Sequence, residues 1–237
     1  MKSLRVFCVA ITVLTLVASL VACGKMSKKE PLPGGVKVQF YETYNKGEVK
    51  DQINSLIDAV SKQEVEQSAQ SLKKMCDETE EMAPNLQVLL YASEADTAFV
   101  NEMIDKYRNG TMKVDLKTAW TIKPENTKYG KKFELVALKA TGASGMPSMT
   151  GETITDVEVE KVQGQYAISI IMNDQGAKEW ARLTEKNINK NIAIVFNGKV
   201  YSYPNVRSRV DGGRTQIAGN FTKQDADELA SALKGEK

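Results

Sequence analysis

The 237-residue chain contains no histidine. That removes Ser-His-Asp and Cys-His nucleophilic catalysis, histidine-ligated zinc and the imidazole proton switch. No G-x-x-x-x-G-K-[ST] or G-x-G-x-x-G stretch is present to cradle phosphates. Ser71-Leu72-Lys73-Lys74 has the form S-x-x-K, but it lies in a lysine-rich helical pattern without the companion motifs of penicillin-interacting enzymes, so coincidence explains it. The acidic run Asp77-Glu78-Thr79-Glu80-Glu81 lacks the turn glycine and alternating ligands of a calcium loop and reads as a solvated helix face. Among the aromatic residues, Trp120 and Trp180 fall at core positions of expected elements, which leaves Tyr201 and Tyr203 as the candidate contact surface. No catalytic, cofactor-binding or metal-ligating residue is expected, and the chain reads as non-enzymatic.

The three cysteines divide by position. Lys2 and Arg5 precede an apolar run over residues 6–21, the layout of a secretory leader. Leu20-Val21-Ala22-Cys23 resembles the lipobox of bacterial lipoproteins, which implies cleavage before Cys23 and lipidation of that residue. Gly24 stands where an aspartate resembles an inner-membrane retention signal in some bacteria, so the periplasmic leaflet of the outer membrane is favoured. Cys8 leaves with the leader and Cys23 carries lipid. Cys76 is left alone, on the apolar side of a helical pattern with Val65, Ala69 and Leu72, and reads as a small buried hydrophobe. Removal of residues 1–22 takes Lys2 and Arg5 from the 32 basic groups and none from the 30 acidic ones. The remaining chain is near neutral with interspersed charges, so no nucleic-acid partner is expected.

The elements that must position these residues can be read from periodicity. Residues 23–35 form a flexible tether, with Lys25, Lys28 and Lys29 close to the lipid site. Residues 36–44 have strand composition and Asn45-Lys46-Gly47 reads as a turn. Val49, Ile53, Leu56, Ile57 and Val60 recur at helical spacing, and Ser61 with Glu64 reads as the capping box of a second helix. A strand over 86–91 and a helix over 94–109 with Gly110 as its stop follow. Residues 113–122 alternate with Val114, Leu116, Trp120 and Ile122 on one side, and 133–138, 157–162 and 166–172 are further strands. Residues 142–148 are a loop by composition, and Ala177, Trp180, Ala181 and Thr184 mark a helix.

The last third is the best defined. Asn197-Gly198 between the runs 191–196 and 199–203 predicts a type I′ hairpin, because both central positions need positive φ. Thr222 and Asp225 have capping-box spacing, Ala226, Leu229, Ala230 and Leu233 share a helix face, and Gly235 is the stop. The hairpin demands antiparallel pairing, so the fold class is α+β with a mixed or mainly antiparallel sheet and helices packed on it, plus an N-terminal helical pair. The expected organisation is a leader (1–22), the tether (23–35), a strand plus helical pair (36–85) and a head domain (86–237).

Four ordered motifs carry a family resemblance. Met149-Thr150-Gly151-Glu152-Thr153-Ile154-Thr155-Asp156 resembles "L-T-G-x-x-[IV]-x-D". The stretch 170–184 resembles a strand followed by "G-A-x-x-[FW]-x-x-[LM]-T", and 192–204 resembles "I-A-I-V-L-D-G-x-V-x-S-x-P". Residues 212–233 resemble "G-G-x-x-x-I-x-G-x-F-T-x-x-[ED]-A-x-x-L-A-x-x-L". Together they are similar to the first periplasmic domain of SecD and SecDF, accessory subunits of the bacterial protein-export channel, with 149–235 best matched. Asn197 stands where that family has Asp, which the turn accepts equally. The resemblance implies a periplasmic head that binds polypeptide clients or an export-machinery component, and the lipobox-like stretch implies that lipid on Cys23 holds it to the membrane. The alternative is a structural envelope lipoprotein that holds a fixed protein or cell-wall partner.

Overall fold

In the computed structural model, residues 30–34, 37–64, 66–82, 87–141, 145–162 and 164–235 are described. They form β1 (Val38–Thr43), α1 (Lys46–Gln63), α2 (Glu66–Glu81), β2 (Val88–Ala92), α3 (Glu94–Thr111), β3 (Leu116–Trp120), β4 (Glu125–Thr127) and β5 (Gly130–Lys139). β6 (Met149–Thr150), β7 (Ile154–Val162), β8 (Gln165–Met172), α4 (Asp174–Lys186), β9 (Ile192–Phe196), β10 (Lys199–Ser202), β11 (Arg214–Phe221) and α5 (Lys223–Lys234) follow. The class is α+β, and every named strand pair is antiparallel.

Local signals account for most element ends. Asn197 (φ 49°) and Gly198 (φ 76°) turn β9 into β10. Thr222 accepts from Asp225 N while Asp225 accepts from Thr222 N at 2.7 Å, and Gly235 closes α5 in the left-handed region. Two expectations fail for a local reason. Asn45 does not open a turn: its side chain accepts from Glu48 N at 3.0 Å and Glu48 Oε2 accepts from Asn45 N at 2.9 Å, so α1 starts at once. Ser61 does not open a second helix, because Val49, Ile53, Leu56 and Val60 keep one buried face running through it, and its hydroxyl donates to Ile57 O at 2.8 Å. β3 is also shorter than the alternation suggested. Leu116 and Trp120 are buried, whereas Val114 at 77% and Ile122 at 37% exposure lie outside the paired residues.

Two sheets result. The larger has the order β10-β9-β1-β5-β2. Leu135 of β5 pairs with Leu90 of β2 and with Trp120 of β3, so β2 and β3 flank opposite edges of β5. The smaller sheet has the order β11-β8-β7. The hairpin β9–β10 and the strand β11 are close in sequence and yet belong to different sheets. β1, from the segment that also carries α1 and α2, lies between β5 and β9 in the larger one.

One face of the larger sheet is covered in two parts. Val38 and Phe40 of β1 and Ile192, Ile194 and Phe196 of β9 pack with the smaller sheet, Trp180 of α4 and Ala226, Leu229 and Leu233 of α5. Leu135 and Ala137 of β5 pack with Leu116 and Trp120 of β3 and with α1, α2 and α3. The opposite face curls on itself. Ile122 N donates to Val200 O at 2.9 Å and Thr121 bridges Val200, so the end of β3 meets β10. Tyr41, Ala119, Val136, Leu138, Ala140, Ala193, Val195 and Val200 fill the inside of this curl, where three alanines leave room for the tight closure.

Candidate functional site

At the mouth of the curl lies an open cleft of about 620 Å³. Its walls come from Glu81 and Met82 at the end of α2, Tyr91 of β2, residues 125–128 on β4 and its turn, Glu134 of β5, and Tyr203 just past β10. Glu134 sits where the β5 side chains change from the apolar filling, Val136 and Leu138, to the open end. It is 5% exposed. Tyr91 OH donates to its Oε1 at 2.9 Å and Tyr203 OH donates to its Oε2 at 2.7 Å. Burial pushes the Glu134 carboxyl above its ordinary range, against the opposing pull of the two phenols. Tyr91 is pushed up in turn by burial and by the carboxylate it faces.

The backbone around Glu134 is held just as firmly. Its N–H donates to Thr121 Oγ1 at 3.1 Å, and Thr121 N donates to its carbonyl at 2.9 Å. β2 is fixed from its outer edge, where Tyr91 N donates to Thr79 Oγ1 at 2.8 Å and the same hydroxyl donates to Met75 O at 2.6 Å. A threonine of the acidic run thus blocks a sheet edge that would otherwise expose an unpaired donor. The run's carboxylates do not gather around one point. Glu78 meets Lys132 at 3.1 Å with both side chains largely covered, and Glu81 meets Lys128 at 3.0 Å and Tyr129. They pin α2 to the β4–β5 hairpin and so set the width of the cleft. Among the described residues, no group of three acids or thiols is arranged to hold a metal ion.

The two candidate tyrosines separate. The hairpin register shifts between Val200 and Ser202. Tyr203 ends against the inner filling of the curl and on Glu134, while Tyr201 packs on the other face, its ring centroid 6.0 Å from Phe196 and 6.5 Å from Phe221. Only Tyr203 lines the cleft. Burial pushes the Tyr201 phenol up. Glu134, Tyr91 and Thr79 carry no sequence signal of their own, since a lone Glu inside an apolar strand is the one hint and its partners lie far away in sequence. Trp120 and Trp180 are core residues, each 4% exposed, and Trp120 Nε1 donates to Asn101 Oδ1 at 2.9 Å. Burial raises the Cys76 thiol to about 11. Cys23 and the leader lie outside the described residues. Among those described, no helix is long and apolar enough to cross a membrane.

The profile described as "SecDF, P1 head subdomain" matches residues 133–236, which hold β5 with Glu134 and the chain through Tyr203 to α5. Residues 133–236 are a SecDF P1 head subdomain. Curated relatives are similar over part of the chain. The "Protein translocase subunit SecD" of Rhodothermus marinus is 44% identical over 87 residues, covering 36% of this chain and 14% of that protein. Its counterpart in Calditerrivibrio nitroreducens is 36% identical over 118 residues, 45% of this chain and 22% of that protein. The "Protein translocase subunit SecDF" of Thermus thermophilus is 34% identical over 91 residues, 38% and 12% respectively. The chain therefore spans less than a quarter of the length of these relatives. A solved structure titled "Structure and function of a membrane component SecDF that enhances protein export" aligns with 84% of this chain and 94% of its own, at 19% identity and a TM-score of 0.38. The cleft opens between residues 133–236, which match the P1 head, and the preceding segment that supplies Tyr91 and Glu81.

Proposed function

We propose that this protein is a lipid-anchored, non-catalytic component of the bacterial cell envelope, facing the periplasm, whose head binds extended polypeptide or a subunit of the export machinery. The single observation behind the reading is the match of residues 133–236 to the SecDF P1 head. The cleft suits such a role. It is open at the surface, and it is lined by β4, a short strand whose named pairing among the described residues is with β5 and to which an extended chain can add by main-chain hydrogen bonds. Its polar groups are carboxylates, an amide, a threonine hydroxyl, one ammonium and phenols held on a carboxylate, a set that orients and binds. The anchor is Cys23, in the periplasmic leaflet of the outer membrane. Tyr203 is the contact residue of the pair and Tyr201 supports it from the core.

Photo-reactive residues placed at Tyr203, and separately at Tyr201, in cells under active secretion test the reading. Capture of many secreted polypeptides or of translocon subunits at position 203, exceeding that at 201, is the expected result. Capture of lipid alone, or of nothing, sinks it. A single stoichiometric envelope partner replaces it with a structural role.

A further inference from the structure

We infer that the end of the head formed by Lys37, Lys199 and Lys234 lies against the anionic headgroups of the bilayer, with the cleft turned away from it. The inference rests on the lipid anchor at Cys23 proposed above.

The exit point of the tether is built into the fold. Leu32 N donates to Ile154 O at 2.7 Å, and the Leu32 side chain packs on the core under α5. Gly34 N donates to Leu233 O at 3.1 Å, and a Cβ on Gly34 would stand 2.0 Å from Ala232 O and 2.5 Å from Leu233 O, so the chain is pressed onto the last turn of α5. Nine residue steps separate Cys23 from Leu32, a reach of at most about 32 Å even when fully extended. An anchor at Cys23 therefore keeps the C-terminal end of α5 within that reach of the membrane, and charge must select which end faces it.

Charge divides along the same axis. Lys37 N donates to Gly34 O at 3.1 Å, which sets Lys37 beside Lys234. Val38 and Lys199 both pair with Phe196, which sets Lys199 at the same end of the sheet, two strands or roughly 10 Å across. All three lysines are exposed, and the ion pairs within the described residues engage other cations. Glu30 and Glu152 are the carboxylates that these connections bring nearby. Lys25, Lys28 and Lys29 lie between Cys23 and Leu32 in sequence, outside the described residues. The other end of α5 carries Asp225, Asp227 and Glu228 against two lysines, Lys223 paired with Asp227 and Lys123 paired with Asp225, and the second pair fixes it next to the start of β4, whose Glu125 borders the cleft. Helix α5 has 12 residues, so the two ends stand about 18 Å apart. An anionic surface attracts the end with three lysines outside those ion pairs and finds no matching attraction at the other, where the lysines are held by carboxylates, over a span greater than the Debye length of about 8 Å at physiological ionic strength.

The test uses the full lipidated chain with Cys76→Ala, labelled with a donor fluorophore at Ser231→Cys or at Asn126→Cys. It is reconstituted in phosphatidylcholine vesicles with or without 30% (about one lipid in three) phosphatidylglycerol and an acceptor lipid. The expected result is a loss of donor emission at position 231 at least about twofold greater than at 126, given the rise of the helix between the two ends. That difference should shrink when the anionic lipid is omitted or when Lys37, Lys199 and Lys234 are all changed to Gln. Equal losses at the two positions in an anchored protein, or a difference indifferent to both changes, overturns the inference. Failure of the unlabelled chain to float with vesicles, or flotation unaffected by Cys23→Ala, overturns the anchor and the inference with it, and is read independently of fluorescence.

Discussion

Replacing Tyr203 by Phe removes one hydroxyl and leaves the ring, so its cost isolates the bond to Glu134. The acceptor is a carboxylate at 5% exposure and the distance is 2.7 Å. A hydrogen bond to a charged group in such a place contributes about 1.5–3 kcal/mol net. The dependence on pH follows from the direction of the Glu134 shift. A carboxyl whose folded-state pKa is raised contributes stability that is fully present below its unfolded value near ~4.3, and that is lost as pH rises through the folded value. Loss of a phenol that favours the charged form pushes the folded value higher still. The Tyr203→Phe penalty is therefore greatest at pH 7, about 1.5–3 kcal/mol. Near pH 4, where Glu134 is protonated and the bond is neutral, it falls to about 0.5–1.5 kcal/mol. With a urea m-value of about 2 kcal/mol/M, the midpoint drops by roughly 1 M at pH 7 and by about half that or less at pH 4. Wild type and variant are compared at each pH, so titration of the other carboxylates cancels. A penalty that is the same at the two pH values, or below about 0.5 kcal/mol at pH 7, refutes the reasoning that Glu134 is a buried charge stabilised by its two tyrosines.

Thr79→Val, close to isosteric, leaves Tyr91 N–H buried without its acceptor and should cost about 1–3 kcal/mol in urea unfolding, with Thr79→Ser recovering most of it; a neutral Thr79→Val means that the β2 edge is satisfied some other way. Gly213→Ala sets a Cβ 2.7 Å from Ala177 Cβ at φ +66°, whereas the neighbouring Gly212→Ala at φ +84° meets open space. Both carry the left-handed strain, so a melting temperature lower for the first than for the second isolates the steric part, and equal losses argue against the close approach of β11 to α4. With its thiol raised to about 11 by burial, Cys76 should react with a disulfide reagent at pH 8 roughly a hundredfold more slowly in the folded chain than in urea, in proportion to its thiolate fraction; comparable rates mean that α2 opens readily. Thr222→Ala should cost about 1 kcal/mol through loss of the α5 cap, and the check is whether the amide protons of the first turn lose protection before those of the helix centre.

Much of the P1 head was legible because its signals are short-range. The Asn197-Gly198 turn, the Thr222 and Asp225 cap and the Gly235 stop each involve residues within four positions of one another, and all are present. The failures were also local, and each has a competing local cause. Asn45 offers both a turn and a cap, and the apolar face of α1 decides for the cap. Ser61 offers a cap, and the same face carries the helix past it. The cleft was legible only as Tyr203. Its other members carry signals that read differently in isolation: Thr79 belonged to an acidic run and Tyr91 to a buried strand, while Glu134 interrupted an apolar one.

By itself, then, the sequence determined most of the helices, the hairpin, the α+β class and the family resemblance of residues 149–235, because caps, turns and amphipathic periods act over one or two turns of chain. Only the tertiary structure decided that β11 leaves the sheet of the hairpin just before it, that β1 enters between β5 and β9, and that Tyr203 reaches Glu134 across 69 positions while Thr79 reaches Tyr91 across 12. The reason is that a strand's pattern states which face must be buried but not against what. The partner is chosen when all the apolar faces are covered together, and the polar groups caught between them must then find one another.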